Sequence, residues 1–173
     1  LLGRVSGLAA RVFTMRLQQV TGPVLAKALE DTLFYVYNRL VSLNEVGGEP
    51  ERFGTSVATL HLRNQERAHA WPHALLATST HDTKRSEDMR ARLHVLSEVP
   101  EAWRSEVDRW RAMNAPLKRA VGAVRAPDAN DEYLFYQTVI GVLPMGSALP
   151  VQDRQSLLNR IADYMQKAIK EAK

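Results

Sequence analysis

The sequence predicts a mainly α-helical fold with at most one or two short strands, placed around residues 74–79. Three observations carry this. Apolar residues recur at helical spacing through most of the chain, the pattern of helices with a buried face. Glycine and proline clusters divide that pattern into separate segments. One short apolar run, Ala74-Leu75-Leu76-Ala77, is too brief for a stable helix and precedes a dense polar stretch, Thr78-Ser79-Thr80-His81-Asp82-Thr83-Lys84-Arg85. Apolar strand, polar tip and following helix is the local layout of an α/β enzyme, where chemistry sits at the carboxyl end of a strand.

In chain order, a first helix is expected over Val5–Gln19, with Leu8, Val12, Met15 and Gln19 on one stripe. Thr21-Gly22-Pro23 should break it, Thr21 serving as N-cap and Pro23 entering the first turn of a second helix. That second helix, Pro23 to about Leu43, is apolar nearly all round and so should be buried on more than one side. Glu30 and Asp31 lie in its middle, and Asn44-Glu45-Val46-Gly47-Gly48 ends it as a loop. A third helix opens near Pro50 and runs through Phe53, Val57, Leu60 and Asn64 to Ala70, where Trp71-Pro72 stops it. From Ser86 the pattern is helical again, with Met89, Leu93 and Leu96 on one face. Pro100 starts a helix carrying Trp103, Val107, Trp110 and Met113. A turn over Ala126–Asn130 leads into a helix capped by Asn130 or Asp131, with Tyr133, Leu134, Tyr136, Gln137 and Ile140. A loop over Leu143–Pro150 precedes a last amphipathic helix, Asp153–Ala172. The expected organisation is one predominantly helical unit over 1–173, containing a strand-like segment 74–82, a helical part 86–143 and the C-terminal helix 153–172.

Composition excludes several functions. The 45% hydrophobic content supports a core, and the 24% charged fraction is ordinary for a folded protein. Net charge is +4, yet Arg85, Arg90 and Arg92 are interleaved with Glu87 and Asp88. Nucleic-acid binders gather their basic residues on one face, so nucleic acid is not an expected partner. The absence of cysteine rules out disulfides, thiolate metal sites and cysteine nucleophiles. No apolar run approaches membrane-span length, and Arg4 and Arg11 inside the opening apolar pattern argue against a signal peptide. The expectation is a cytoplasmic protein with no membrane partner. The sequence opens without Met and closes on the Lys167, Lys170 and Lys173 face of a helix, so both ends read as cuts through a longer protein.

The polar stretch offers the most chemistry. An ionised carboxylate accepts only, so Asp82 can take two hydroxyl protons of a sugar while His81 donates to another oxygen. Such bonds can strengthen as charge develops at an anomeric carbon. Lys84 and Arg85 can bind further oxygens or pair with local acids. On composition alone, a helix-entry cap in which Asp82 binds backbone N–H groups explains the pair equally well. Metal is disfavoured: of His61, His69, His73 and His81, only His69 and His73 have helical ligand spacing, and Pro72 falls between them. No metal and no cofactor are expected. Ser79 lacks the Gly-x-Ser-x-Gly elbow of a serine nucleophile, and Val46-Gly47-Gly48 lacks the Lys-Ser or Lys-Thr of a phosphate loop. The Trp103, Trp110 and Met113 stripe has the spacing of a core face.

Beyond these readings, Leu76-Ala77-Thr78-Ser79-Thr80-His81-Asp82-Thr83-Lys84-Arg85-Ser86-Glu87-Asp88, followed by Arg90-Ala91-Arg92-Leu93, resembles the maltooligosyl trehalose synthases. These enzymes belong to the α-amylase superfamily, retaining glycoside hydrolase family 13. Thr21-Gly22-Pro23-Val24, Glu30-Asp31-Thr32, Tyr37-Asn38-Arg39-Leu40, Ser42–Gly48 and Asp131-Glu132-Tyr133-Leu134 are similar to the same family, so the resemblance covers nearly the whole chain. It implies a helical fragment of a (β/α)8-barrel enzyme. It also implies conversion of the reducing-end α-1,4 linkage of a maltooligosaccharide to an α,α-1,1 linkage by intramolecular transglucosylation.

Retaining chemistry requires a carboxylate nucleophile and an acid/base carboxyl opposite it. In the superfamily a third carboxylate, preceded by His, holds sugar hydroxyls. The resemblance assigns Asp82 to that third, transition-state-stabilising place and His81 to its neighbour. It sets Thr83, Lys84 and Arg85 near the bound sugar, and Glu30, Asp31, Tyr35, Tyr37 and Arg39 near the reducing-end pocket. The Arg-x-Asp-His strand of the nucleophile and the following strand bearing the acid/base Glu have no match in this sequence. The 173 residues alone are therefore expected to be inactive. The competing reading is a non-catalytic helical interaction module derived from the same family. In either case helix faces shaped to pack on a barrel leave room for self-association of the isolated chain.

Overall fold

The computed structural model of the chain describes residues 7–144, 146 and 150–172. The helical prediction holds, with one two-stranded sheet among the described residues. Helix α1 spans Leu8–Leu25 and passes directly into a π-helix over Ala26–Leu33 and a single turn, α2, over Phe34–Val36. Then follow α3 Val57–Ala70, α4 Glu87–His94 and α5 Pro100–Asn114. The strands β1 Arg119–Val121 and β2 Val124–Ala126 precede α6 Ala129–Val142 and α7 Val151–Glu171. The chain, read from its sequence as one unit, packs as two: Leu1–Asn38 with Leu149–Lys173, and Arg39–Ala148.

In the first unit the expected break at Thr21-Gly22-Pro23 does not occur. Pro23 lies inside α1, and the Thr21 hydroxyl donates back to the Gln18 carbonyl at 3.2 Å, so it caps nothing. Proline removes one backbone donor, and the helix absorbs this loss and continues into wider π turns. Within those turns the Thr32 hydroxyl donates to the Lys27 carbonyl at 2.9 Å. The start expected at Val5 lies outside the described residues, and the Leu8, Val12 and Met15 stripe is exposed rather than buried. The second segment is helical only to Val36. Within that helical part deep burial is confined to Phe34 and Tyr35, and α2 packs against α7, whose inward face carries Ile161 and Ala168. That α7 face was legible from its helical period.

In the second unit α4 packs against α6 and against a tight turn over Val41–Leu43. Leu93 and Leu134 are fully buried here, each contributing on the order of 1.5–3 kcal/mol of hydrophobic stabilisation. Gly141 permits the close approach of α4: a Cβ there would meet Met89 Cγ and Cε at 2.7 Å. Polar ties complete the contact. The Gln137 side-chain carbonyl accepts from the Val41 N–H at 2.9 Å, Ser42 Oγ pairs with His94 Nδ1 at 3.1 Å, and Arg92 donates to the Leu143 carbonyl at 2.7 Å.

Three expectations in this unit need correction. The third helix starts at Val57, capped by Ser56, rather than near Pro50. Asp128 rather than Asn130 or Asp131 caps α6, its Oδ1 accepting both of their N–H groups at 2.8 Å. The aromatic stripe of α5 is core only in part: Val107 is buried, Trp103 and Trp110 are half-buried against Tyr133 and Tyr136, and Met113 is exposed.

The strand expected at 74–79 is the main departure. Those residues are irregular and exposed, Leu75 completely so. A strand exists only by pairing its backbone with a neighbour, and no described segment lies alongside this one as a strand. The observed strands instead form a hairpin, with Val121 paired to Val124 across a turn in which Gly122 takes φ +61°. Glycine at the first corner of a two-residue turn accommodates that angle without strain.

Candidate functional site

The polar stretch folds as a turn rather than as a strand tip. The Thr83 N–H donates to the Thr80 carbonyl at 3.3 Å, enclosing His81 and Asp82 as the two corner residues. The Thr83 hydroxyl accepts the Thr80 N–H at 2.6 Å, and the Thr80 hydroxyl accepts the Asp82 N–H at 3.3 Å. Hydroxyl and acidic side chains commonly stabilise turns in this way. Here the threonines do so and leave the corners free. Both His81 and Asp82 are exposed, and among the described residues neither side chain has a hydrogen-bond or ion-pair partner.

The helix-entry cap that composition allowed for Asp82 is not formed. The following helix, α4, is capped by Ser86, whose Oγ accepts the Met89 N–H at 3.4 Å. Asp82 caps nothing.

The turn is held at both sides by two residues that sequence reasoning did not single out. Glu45 Oε1 accepts the Lys84 N–H at 2.8 Å, and Oε2 accepts the Arg85 N–H at 3.2 Å. The Arg90 guanidinium pairs with Glu45 Oε2 at 3.2 Å, donates to the Arg85 carbonyl at 3.1 Å, and also donates to the Thr78 carbonyl. Burial alone would raise the Glu45 carboxyl. The Lys84, Val46 and Arg85 N–H groups, with Arg90, outweigh it and hold the carboxyl below the usual glutamate range. Arg85 is itself buried, so this predicted substrate contact sits at the base of the loop.

Glu45 is presented by the glycine pair after it. Gly48 donates to the Glu45 carbonyl at 2.7 Å, and a Cβ at Gly48 would lie 2.7 Å from that oxygen and 3.0 Å from the Leu43 carbonyl. Gly47 takes φ +72°. Asn44-Glu45-Val46-Gly47-Gly48 is thus a backbone shape that only glycine permits. The glycine pair was the sequence signal that could have pointed to Glu45.

The remaining predicted residues divide between the two units. Arg39, in the unit of the turn, stands 5.3 Å over the Phe53 ring and lines a groove of about 500 Å³ with Phe53, Trp103, Arg104 and Tyr133. Glu30, Asp31, Tyr35 and Tyr37 belong to the other unit. Asp31 there pairs with Lys27 at 2.5 Å, and Tyr35 is buried. Among the described residues no group of three His, Asp or Glu side chains is arranged to hold a metal. No helix of the described residues is long and apolar enough to cross a membrane.

Fold and turn together define a class: a helical segment that presents an uncommitted histidine–aspartate pair from a braced loop. The chain is 46% identical over 158 residues to a putative maltooligosyl trehalose synthase of Mycobacterium tuberculosis (strain CDC 1551 / Oshkosh), a match covering 91% of this chain and 19% of the relative. Among solved structures, a hypothetical maltooligosyl trehalose synthase of Sulfolobus tokodaii matches with TM-score 0.76 and 38% identity, over 92% of this chain and 20% of that one. Maltooligosyltrehalose synthase of Arthrobacter ramosus matches with TM-score 0.75 and 36% identity, over 92% and 18%. No family model matches the chain. By sequence and by fold the chain belongs, as a segment, to the maltooligosyl trehalose synthase family, and it spans 19% of the length of the curated relatives it matches.

Proposed function

We propose that this chain is the part of a maltooligosyl trehalose synthase that supplies the transition-state-stabilising carboxylate, Asp82. The reaction is an intramolecular transglucosylation that turns the reducing-end α-1,4 linkage of a maltooligosaccharide into an α,α-1,1 linkage. The observation that carries the reading is the free Asp82–His81 corner. An exposed carboxylate with no partner among the described residues, on a turn whose own hydrogen bonds are satisfied elsewhere, is available for two sugar hydroxyls. Those bonds gain strength as the anomeric carbon becomes cationic, which lowers the barrier rather than merely tightening substrate binding.

In this reading His81, Thr83 and Lys84 contact sugar oxygens beside Asp82, and Arg85 contributes from the base of the loop. Glu30, Asp31, Tyr35, Tyr37 and Arg39 serve the reducing-end side. The nucleophile and the acid/base carboxyl of a retaining mechanism are supplied from outside these 173 residues.

The test is Asp82→Asn in a full-length synthase carrying this segment at its homologous place. The amide loses one acceptor and the charge while keeping the shape. Turnover should fall by roughly 100-fold or more with helix content unchanged, a loss comparable to removing one preorganised transition-state contact. The same assay on the 173-residue chain alone should yield no maltooligosyl trehalose. Near-normal turnover of the Asn variant, or product from the chain alone, would overturn the proposal.

A further inference from the structure

The loop that carries His81 and Asp82 has little regular structure to keep it in place. Residues 71–80 are irregular and exposed. Ordering each residue of such a segment costs about 1–2 kcal/mol in backbone entropy, so a fixed position needs fixed tethers. Tethers on both sides of the turn converge on the same two side chains. On the amino side, Arg90 holds the Thr78 carbonyl. On the carboxyl side, Glu45 holds the Lys84 and Arg85 N–H groups, and Arg90 holds the Arg85 carbonyl. Glu45 and Arg90 are themselves paired, with their side chains 20% and 19% exposed. Glu45 stands on the glycine-shaped turn and Arg90 on α4, so the bracket ties the loop to two packed elements.

We infer that Glu45 and Arg90 are positioning residues that set where the Asp82 carboxylate stands during the reaction. The inference rests on the proposed role of Asp82. Neither bracket residue touches the Asp82 carboxylate; both act on the backbone that carries it. Backbone tethers are suited to this task, because they fix the turn while leaving the side chains at its corners free for a ligand. A planar guanidinium can serve three acceptors at once, and an ionised carboxylate can accept from several donors at once. Arg90→Lys and Glu45→Gln would therefore each loosen the bracket without removing its bulk. A displacement of about 1 Å at a reacting centre can cost up to ~100-fold in rate.

A double-mutant cycle in the full-length synthase tests this. Glu45→Gln should lower kcat by roughly 10- to 100-fold, with KM nearly unchanged and helix content retained. In an Asp82→Asn background the same substitution should cost less than about 3-fold, because the group it positions is already disabled. Arg90→Lys should follow the same pattern, and it decides the matter if Glu45→Gln does not fold. Unchanged kcat in folded Glu45→Gln overturns the inference. So does an equal loss in both backgrounds, which would mark a general structural role. Full activity of Asp82→Asn alone instead refutes the assigned role of Asp82, so the two failures are distinguishable.

Discussion

Two glutamates of the second unit are held below the ordinary glutamate range although burial pushes the other way, and both make stability depend on pH in the same direction. Burial pushes the Glu132 carboxyl up, but the Lys118 ammonium at 2.6 Å and the Tyr136 hydroxyl at 2.7 Å outweigh it and leave it below its ordinary value. Glu45 is depressed in the same sense by its N–H donors and Arg90. A carboxyl whose folded pKa lies below its unfolded one stabilises the native state at any pH above the unfolded value, about 4.3 for glutamate. That stability is lost as pH falls through the lowered folded values. Thermal unfolding should therefore show a melting temperature nearly flat from pH 7 to about pH 5 and dropping at more acid pH, with a shallower drop in Glu45→Gln. A melting temperature unchanged down to pH 3, or an identical acid slope in the variant, would contradict this. Tyr136 adds an alkaline limit of the opposite sense. Burial raises its pKa, the Asn114 amide opposes that, and acceptance by Glu132 adds to it, so its contribution fades only as pH rises past about 10.

At the scale of elements, the packing of α4 on α6 turns on one glycine. Alanine at position 141 would gain about 1 kcal/mol of helix propensity, but its Cβ would fall 2.7 Å from both Met89 Cγ and Cε. Met89 Cε can swing away, whereas Cγ is close to its own backbone, and overpacking of this kind costs about 1–3 kcal/mol. Gly141→Ala should thus destabilise by about 1 kcal/mol in urea unfolding, and should become stabilising in a Met89→Ala background. Equal effects in the two backgrounds would show that the contact does not govern the helix pair. Elements with local punctuation were legible in the sequence: α3 stops at Trp71-Pro72, the helical pattern resumes at Ser86, Pro100 opens α5, and the α7 face follows a helical period. Elements decided by distant partners were not. The apolar run 74–77 reads as a strand until no neighbour pairs with it, and the hairpin at 119–126 has exposed strands of three residues each that give no period to detect. The same division holds at the site. The motif drew attention to the turn at His81 and Asp82, while Glu45, 39 positions before the Lys84 N–H it holds, becomes visible only in space.

At the scale of the whole molecule, the family relation and the surface of the second unit point to the same physical condition. The chain matches a span that is 19% of its curated relatives' length. The loop that leads to the His81–Asp82 turn exposes Trp71, Leu75 and Leu76 at 72%, 100% and 71%. Single exposed apolar residues are common on soluble proteins, but three large ones within six positions of an irregular loop leave much apolar side chain in water. Covering a leucine-sized side chain gains about 1.5–3 kcal/mol. In a full-length synthase the surrounding chain can supply that cover. For the 173 residues prepared alone, a second copy is the surface available at high concentration, and self-association is the expectation. Sedimentation velocity should therefore show a mass increase between about 1 and 100 µM, affinities in that range corresponding to roughly −5.5 to −8 kcal/mol. Leu75→Ser with Leu76→Ser should return the chain to a monomer at the higher concentration. A monomer at 100 µM without substitution would rule out self-association, and an oligomer that survives both substitutions would place the contact elsewhere than on this loop.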